Sequence, residues 1–284
     1  MILENMDKFD LFLRKVVRNK LEYKDGIYFS RNTSKISYPK EGYPNCFLVE
    51  DNSFWFKHRN NCIIEVINNF PPPGIILDVG AGNGFVSLEI KNNGYKIVLL
   101  EPVISCILNA KKRGLEKLIC ANFNEIDLYP NSISAIGIFD VLEHIQNDYK
   151  FLNKIYKCLI PGGKLYVTVP AYNFLWSDED SKSGHYRRYN LNQLRSIVKQ
   201  TGLEIEYDTY IFSVLPIPVF LFRTLPTKLN FVKKETNKRT KNEHKIRKGL
   251  TGNILQKIWN SEIKAISKEK IIPFGGSCLL VARK

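Results

Sequence analysis

The chain has 284 residues, with 42 Lys+Arg against 28 Asp+Glu, a net charge of +14. At 44% hydrophobic and 12% aromatic residues it can bury a substantial core, which excludes disorder as its main state. No apolar run approaches the ~20 residues of a spanning helix, and Met1–Asp7 lacks the basic-then-apolar pattern of a secretion signal. Six scattered cysteines without a CxxC pair argue against a zinc site and a disulfide framework, and fit reduced thiols in the cytoplasm.

The positive charge is local. Residues 1–222 carry a net charge of +2 and residues 223–284 a net charge of +12. It is densest over 233–249, where eight basic residues face two acidic ones. Two readings stay open: a solvated loop, or contact with an anionic partner such as membrane headgroups, a phosphorylated substrate or RNA.

In chain order, residues 1–45 are polar and irregular, with helical periodicity only over Phe9–Val17, and read as a loosely packed arm. Cys62–Phe70 has apolar residues at helical spacing and is stopped by Pro71–Gly74. Gly74–Val79 is a short apolar run bounded by glycines, the pattern of a buried strand. Strands over 96–101, 117–121, 133–139 and 164–169 then alternate with helices over 84–92, 103–113 and 148–159, and Pro161-Gly162-Gly163 makes a turn before the fifth strand. This alternation predicts an α/β fold with a mostly parallel sheet and helices on both faces. Asn190 caps a helix running to Thr201, and Leu203–Ile211 and Cys278–Arg283 form two further strands. Roughly 65 residues separate these last two strands, too many for a bare loop. The insert opens with apolar Tyr210–Phe222, which Pro216 and Pro218 interrupt, and continues into the basic run. It reads as a lid packed on the sheet or, by the two-signal logic of peripheral binding, as a membrane contact over 210–249.

The most informative motif is Leu77-Asp78-Val79-Gly80-Ala81-Gly82-Asn83-Gly84-Phe85, a strand running into a glycine-rich turn and a helix. The glycines let the backbone bend and let a ligand approach it, outside the carboxyl ends of the strands. Glu101, 23 residues after Asp78, ends the next strand, where a carboxylate suits two ribose hydroxyls. A dinucleotide fingerprint would place a small residue where Phe85 stands. The G-x-G-x-G pattern instead resembles the class I S-adenosylmethionine-dependent methyltransferases.

The resemblance continues through Ala121-Asn122-Phe123 after the third strand, Asp140-Val141-Leu142-Glu143-His144 after the fourth, and Pro161-Gly162-Gly163-Lys164 before the fifth. Phe54-Trp55-Phe56-x-His58-Arg59, Trp176-Ser177-x-x-Asp180-x-x-x-Gly184-His185-x-Arg187-Arg188-Tyr189 and Pro273–Arg283 resemble a narrower bacterial branch. The resemblance implies a Rossmann-like seven-stranded sheet of order 3-2-1-4-5-7-6 with a helical insert between the last two strands. The corresponding division is an arm over 1–53, a cofactor-binding core over 54–212, an apolar and basic insert over 213–275, and a closing strand over 276–284.

The cofactor implied is S-adenosyl-L-methionine, held by Asp78, Gly80, Ala81, Gly82, Gly84, Phe85, Glu101, Pro102, Asn122, Phe123, Asp140, Val141 and His144. Asn122 stands where the family usually has Asp, and its amide oxygen still accepts a hydrogen bond from the adenine amino group. The implied reaction is methylation, with oxygen as the expected acceptor atom of a small-molecule, glycan or lipid-linked saccharide. His185 and His144 are the candidate bases, with Asp180 orienting His185. Trp176, His185, Arg187, Arg188 and Tyr189 are the candidate acceptor residues, Trp55 a candidate lid, and no metal ligands are assigned. The expected location is the cytoplasm or the inner face of the membrane. An RNA-modifying enzyme using the basic C-terminal region, a carbon methyltransferase for a quinone-like acceptor, and a binding module that has lost catalysis remain the alternatives. Nucleic acid is disfavoured by the near-neutral first 222 residues.

Overall fold

The computed structural model describes residues 8–30, 47, 49–51, 53–229 and 250–284. The segment 233–249, with the densest charge, and His244 lie outside the described residues.

One mixed sheet organises the chain. Its strands are β1 (Glu22–Lys24), β2 (Ile27–Phe29), β3 (Ile76–Val79), β4 (Ile97–Glu101), β5 (Leu118–Cys120), β6 (Ile133–Phe139), β7 (Leu159–Pro170), β8 (Glu204–Ile211) and β9 (Ser277–Arg283), in the order β1-β2-β5-β4-β3-β6-β7-β9-β8. The seven strands from β3 onward follow the expected 3-2-1-4-5-7-6 order, with β9 antiparallel to both neighbours. The sheet has nine strands rather than seven because the β1–β2 hairpin adds to the β5 edge, Ile27 pairing in parallel with Leu118.

Side chains explain the two-sided burial. Along β4, Val98 and Leu100 enter one apolar cluster while Ile97 and Leu99 enter the other. A period of two with both faces apolar means that helices must cover both. On one side pack Lys8–Val16, Asp148–Cys158 and Leu191–Gln200; on the other, Phe54–Asn69, Phe85–Asn92 and Ile104–Lys112. Asn190 caps its helix in a reciprocal capping box with Gln193.

Three expectations change. The N-terminal region is not a loose arm throughout: Phe9, Leu13 and Val16 are buried against the first cluster, and Ile27 against the second. Pro161-Gly162-Gly163 interrupts no strand. It bulges out of β7, since Ile133 pairs with Leu159 and Ala135 with Lys164. Tyr210–Phe212 does not open the insert: Tyr210 and Ile211 end β8, and all three residues are buried.

The insert is structured where described. A helical stretch covers 216–228 and a long helix covers Leu250–Ile266. Glu262 anchors the long helix by accepting from the backbone N–H groups of Phe212 and Ser213, 2.9 and 2.7 Å, and by pairing with buried His58 at 2.8 Å. His58 is thus structural. Among the described residues no helix is long and apolar enough to cross a membrane.

Candidate active site

A cleft of about 810 Å³ opens at the carboxyl ends of β3, β4, β5 and β6, within the size range of small-molecule sites. The glycine turn forms its floor, and each glycine has its own reason. Gly80 has φ +72°, and a Cβ there would lie 2.8 Å from a Val141 methyl. Gly84 has φ +75°, and its Cβ would lie 2.6 Å from Leu115 and 2.8 Å from Ala110, so it permits close packing of the following helix. Gly82 differs: a Cβ there meets nothing within 4 Å, leaving space on the cleft side.

Glu101 is fixed by its backbone neighbours. Its two carboxylate oxygens accept from Gly82 N–H at 2.9 Å and Val103 N–H at 3.0 Å. Burial raises its pKa to about 7 despite those bonds. Burial likewise raises Asp78 to about 6, while Ser87 donates its hydroxyl to that carboxylate at 2.5 Å. Asp78 therefore ties strand to helix as well as lining the cleft.

Asp140 sits at φ +56°, a left-handed conformation that Asp tolerates better than most residues. Arg59 holds one of its oxygens and the Thr168 hydroxyl the other, the latter at 3.1 Å. The Arg59 guanidinium also lies 4.9 Å from the Trp55 ring centroid and 5.2 Å from that of Phe56. Trp55 stacks on Phe212 at 5.4 Å, so it packs beneath the first long helix rather than closing over the cleft.

Of the expected cofactor residues, Asp78, Gly80, Ala81, Gly82, Phe85, Glu101, Pro102, Asn122, Phe123, Asp140, Val141 and His144 all line the cleft. Gly84 does not, because it faces the packed side of the turn. Phe56, Arg59 and Tyr186 also line it, outside the set expected from sequence. The clustered aromatics and arginine at 54–59 carried a signal for two of these.

The segment after β7 is built around Asp180. This carboxylate is 2% exposed. It accepts a two-pronged bond from Arg188, 2.8 and 2.9 Å, a bond from His185 Nδ1 at 2.9 Å, and the Ser177 N–H at 2.9 Å. Burial alone would raise its pKa, but the bonds from His185 and Arg188 hold it well below the usual carboxylate range. The Nδ1–Asp180 bond fixes Nδ1 as the protonated nitrogen and leaves Nε2 for chemistry. The His185 ring meets His144 nearly edge to face, centroids 4.7 Å apart. Burial, then the proximity of His185, lowers the His144 pKa to about 4. Glu143 next to it is 1% exposed, and burial, reinforced by Asp140, pushes its carboxyl well above the usual range.

All five expected acceptor residues, His185 included, lie outside the cleft lining. Arg188 is committed to Asp180, and Arg187 to Asp148 at 2.5 Å. Tyr189 is buried with its hydroxyl donating to Asp148 at 2.9 Å, and Trp176 Nε1–H donates to Ser181 at 3.2 Å. Two adjacent arginines diverge, as their positions required, but both meet internal acids. These four side chains hold the loop that presents His185.

The description "methyltransferase domain" fits residues 55–207, more than half of the chain. The chain belongs to the methyltransferase-domain family. A probable S-adenosylmethionine-dependent methyltransferase of Mycolicibacterium smegmatis is 23% identical over 168 residues, covering 58% of this chain and 65% of the relative. The mitochondrial ubiquinone biosynthesis O-methyltransferase of Rattus norvegicus is 26% identical over 123 residues, 39% of this chain and 36% of that protein. Both alignments span less than two thirds of the relative's length. Among solved structures, phosphoethanolamine N-methyltransferase 2 of Haemonchus contortus, in complex with phosphomonomethylethanolamine and S-adenosylhomocysteine, superposes with a TM-score of 0.54 at 18% identity. That match covers 86% of this chain and 57% of the other, and shows a shared fold.

Proposed function

We propose that the chain is an S-adenosyl-L-methionine-dependent methyltransferase that methylates an oxygen of a small-molecule, glycan or lipid-linked saccharide acceptor. The observation that carries the cofactor reading is the pairing of an open glycine turn with the pinned Glu101 carboxylate at the strand ends. In this reading Glu101 takes the ribose hydroxyls, Asn122 and Phe123 the adenine, and Asp140 the methionine end. Family membership and the names of the relatives support it.

Methyl transfer from a sulfonium is an in-line displacement with a neutral leaving group, so alignment and exclusion of water supply most of the catalysis. A hydroxyl acceptor must also lose a proton. The Asp180–His185 pair, with His144 beside it, supports an oxygen acceptor because it presents an oriented imidazole nitrogen near the cleft. A screen of acceptor classes scored by S-adenosylhomocysteine release tests this. Turnover with hydroxyl acceptors is expected; turnover confined to amines, quinone-like carbons or RNA contradicts it. With an acceptor in hand, His185→Ala is expected to lower kcat by about 100-fold or more. Its S-adenosylhomocysteine affinity should stay unchanged, since His185 does not line the cofactor cleft.

A further inference from the structure

The Glu143, His144 and His185 side chains converge although the sequence separates the first two from the third by more than forty residues. One potential ligand atom from each lies within 4.8 Å of the others. We propose that these three side chains bind a divalent transition-metal ion, of the zinc or iron(II) class, at the acceptor end of the cleft.

Three observations carry this. Glu143 Oε2 is buried with no hydrogen-bond partner, in a residue 1% exposed. A buried carboxylate oxygen left unpaired is costly, and a cation relieves that cost. The donor set is two imidazoles and one carboxylate, which suits zinc or iron(II) with coordination positions left open. Asp180 supplies the outer support: its bond to His185 Nδ1 fixes the tautomer and leaves Nε2 as the nitrogen that can ligate, as ligating histidines usually require. Arg188 and Ser177 in turn hold Asp180. Binding at about 2.0–2.1 Å brings tetrahedral ligand atoms to about 3.4 Å apart, so the three side chains close inward by small rotations on loading. His144 lines the cleft, which gives the ion an approach and its open positions a view of the acceptor.

What the ion would do rests on the proposed function. It would bind the acceptor oxygen, lower its pKa and orient it toward the methyl group, so that with the ion bound His185 holds the metal and the metal takes over the activation of the hydroxyl that the metal-free site leaves to the imidazole. The hydroxyl proton would pass to solvent, and its oxygen lone pair would form the new bond to the methyl carbon as the carbon–sulfur bond breaks.

The test is a Co²⁺ titration of chelator-treated, tag-free protein followed by visible absorption, with Zn²⁺ as competitor. Ligand-field bands saturating at one ion per chain and erased by Zn²⁺ are expected. His185→Ala and Glu143→Gln should each weaken binding by about 100-fold. Asp180→Asn should weaken it by about 10–100-fold through the outer support. Each protein is also titrated with S-adenosylhomocysteine and melted thermally, so a misfolded variant is recognised; the near-isosteric Glu143→Gln then decides. Absence of saturable cobalt absorption in wild-type protein that binds S-adenosylhomocysteine overturns the metal site and leaves the methyltransferase reading standing. Equal cobalt affinity in folded Glu143→Gln and wild type also overturns it. Cobalt binding without S-adenosylhomocysteine binding supports the site and contradicts the cofactor reading.

Discussion

Glu101 shows how one residue joins structure, cofactor and pH. Its carboxyl, raised to about 7 by burial, is largely protonated at pH 6 and largely ionised at pH 8 in the free protein. Only the ionised form accepts from both ribose hydroxyls, so cofactor affinity should rise with pH through 7. The gain expected between pH 6 and 8 is at most about tenfold, and Glu101→Gln should bind weakly with a flat profile. Calorimetry at three pH values checks it. Stability follows the opposite sign. A carboxyl whose folded pKa lies above its unfolded value keeps protons longer when folded, so this group's contribution falls as pH rises from about 4.5 to about 7. The two glycines Gly82 and Gly84 separate binding from folding in the same way. Gly84→Ala forces a Cβ to 2.6 Å from Leu115 at positive φ, and should lose about 2–4 kcal/mol in thermal unfolding. Gly82→Ala meets no atom within 4 Å and should lose about 1 kcal/mol of stability, while its methyl group intrudes on the cleft and weakens cofactor binding.

At the scale of elements, the insert helix Leu250–Ile266 is fastened to the core by one buried carboxylate. Glu262 satisfies the N–H groups of Phe212 and Ser213 and pairs with His58, and Trp259 stacks on Phe54 at 5.0 Å. Glu262→Ala strands those donors and should cost about 2–4 kcal/mol, read as a lower urea midpoint. The elements of the core were legible from sequence because parallel strands buried on both faces read as unbroken apolar runs, as in Ile97–Leu100. The β1–β2 hairpin was not legible. Its strands have three residues each, and β1 is exposed, so no period could emerge; it is specified by pairing with β5, which is distant in sequence. The site divides similarly. The glycine turn, Glu101 and Asp140 are local motifs at strand ends. Arg59 reaches Asp140 across 81 positions, and Glu143 meets His185 only because the loop after β7 folds back. That folding back depends on the Asp180 bonds, which spacing alone does not reveal. It also explains why Arg187, Arg188 and Tyr189, grouped beside His185 in sequence, serve the loop instead of the cleft.

For the whole molecule, the charge of +14 splits into a near-neutral body and a C-terminal region of +12. The cleft is lined by residues 50–186, all within the near-neutral part. Deleting 233–249 should therefore leave S-adenosylhomocysteine affinity within about twofold of wild type; if the run contacts an anionic surface, flotation with anionic vesicles falls as well, since each basic residue near such a surface is worth about 1 kcal/mol. Unchanged flotation would remove the run from any membrane role. Ile217, Leu221 and Phe222, exposed at 65%, 48% and 64%, give an apolar face to the helical stretch that precedes this run in the sequence. The proposed function stands or falls on whether the cleft at the strand ends binds S-adenosyl-L-methionine through the open glycine turn and Glu101. The most direct test is calorimetric titration of wild-type and Glu101→Ala protein with S-adenosylhomocysteine. Saturable one-to-one binding is expected in wild type, lost or weakened at least tenfold in folded Glu101→Ala. No binding by folded wild type, or equal binding by both, would contradict it.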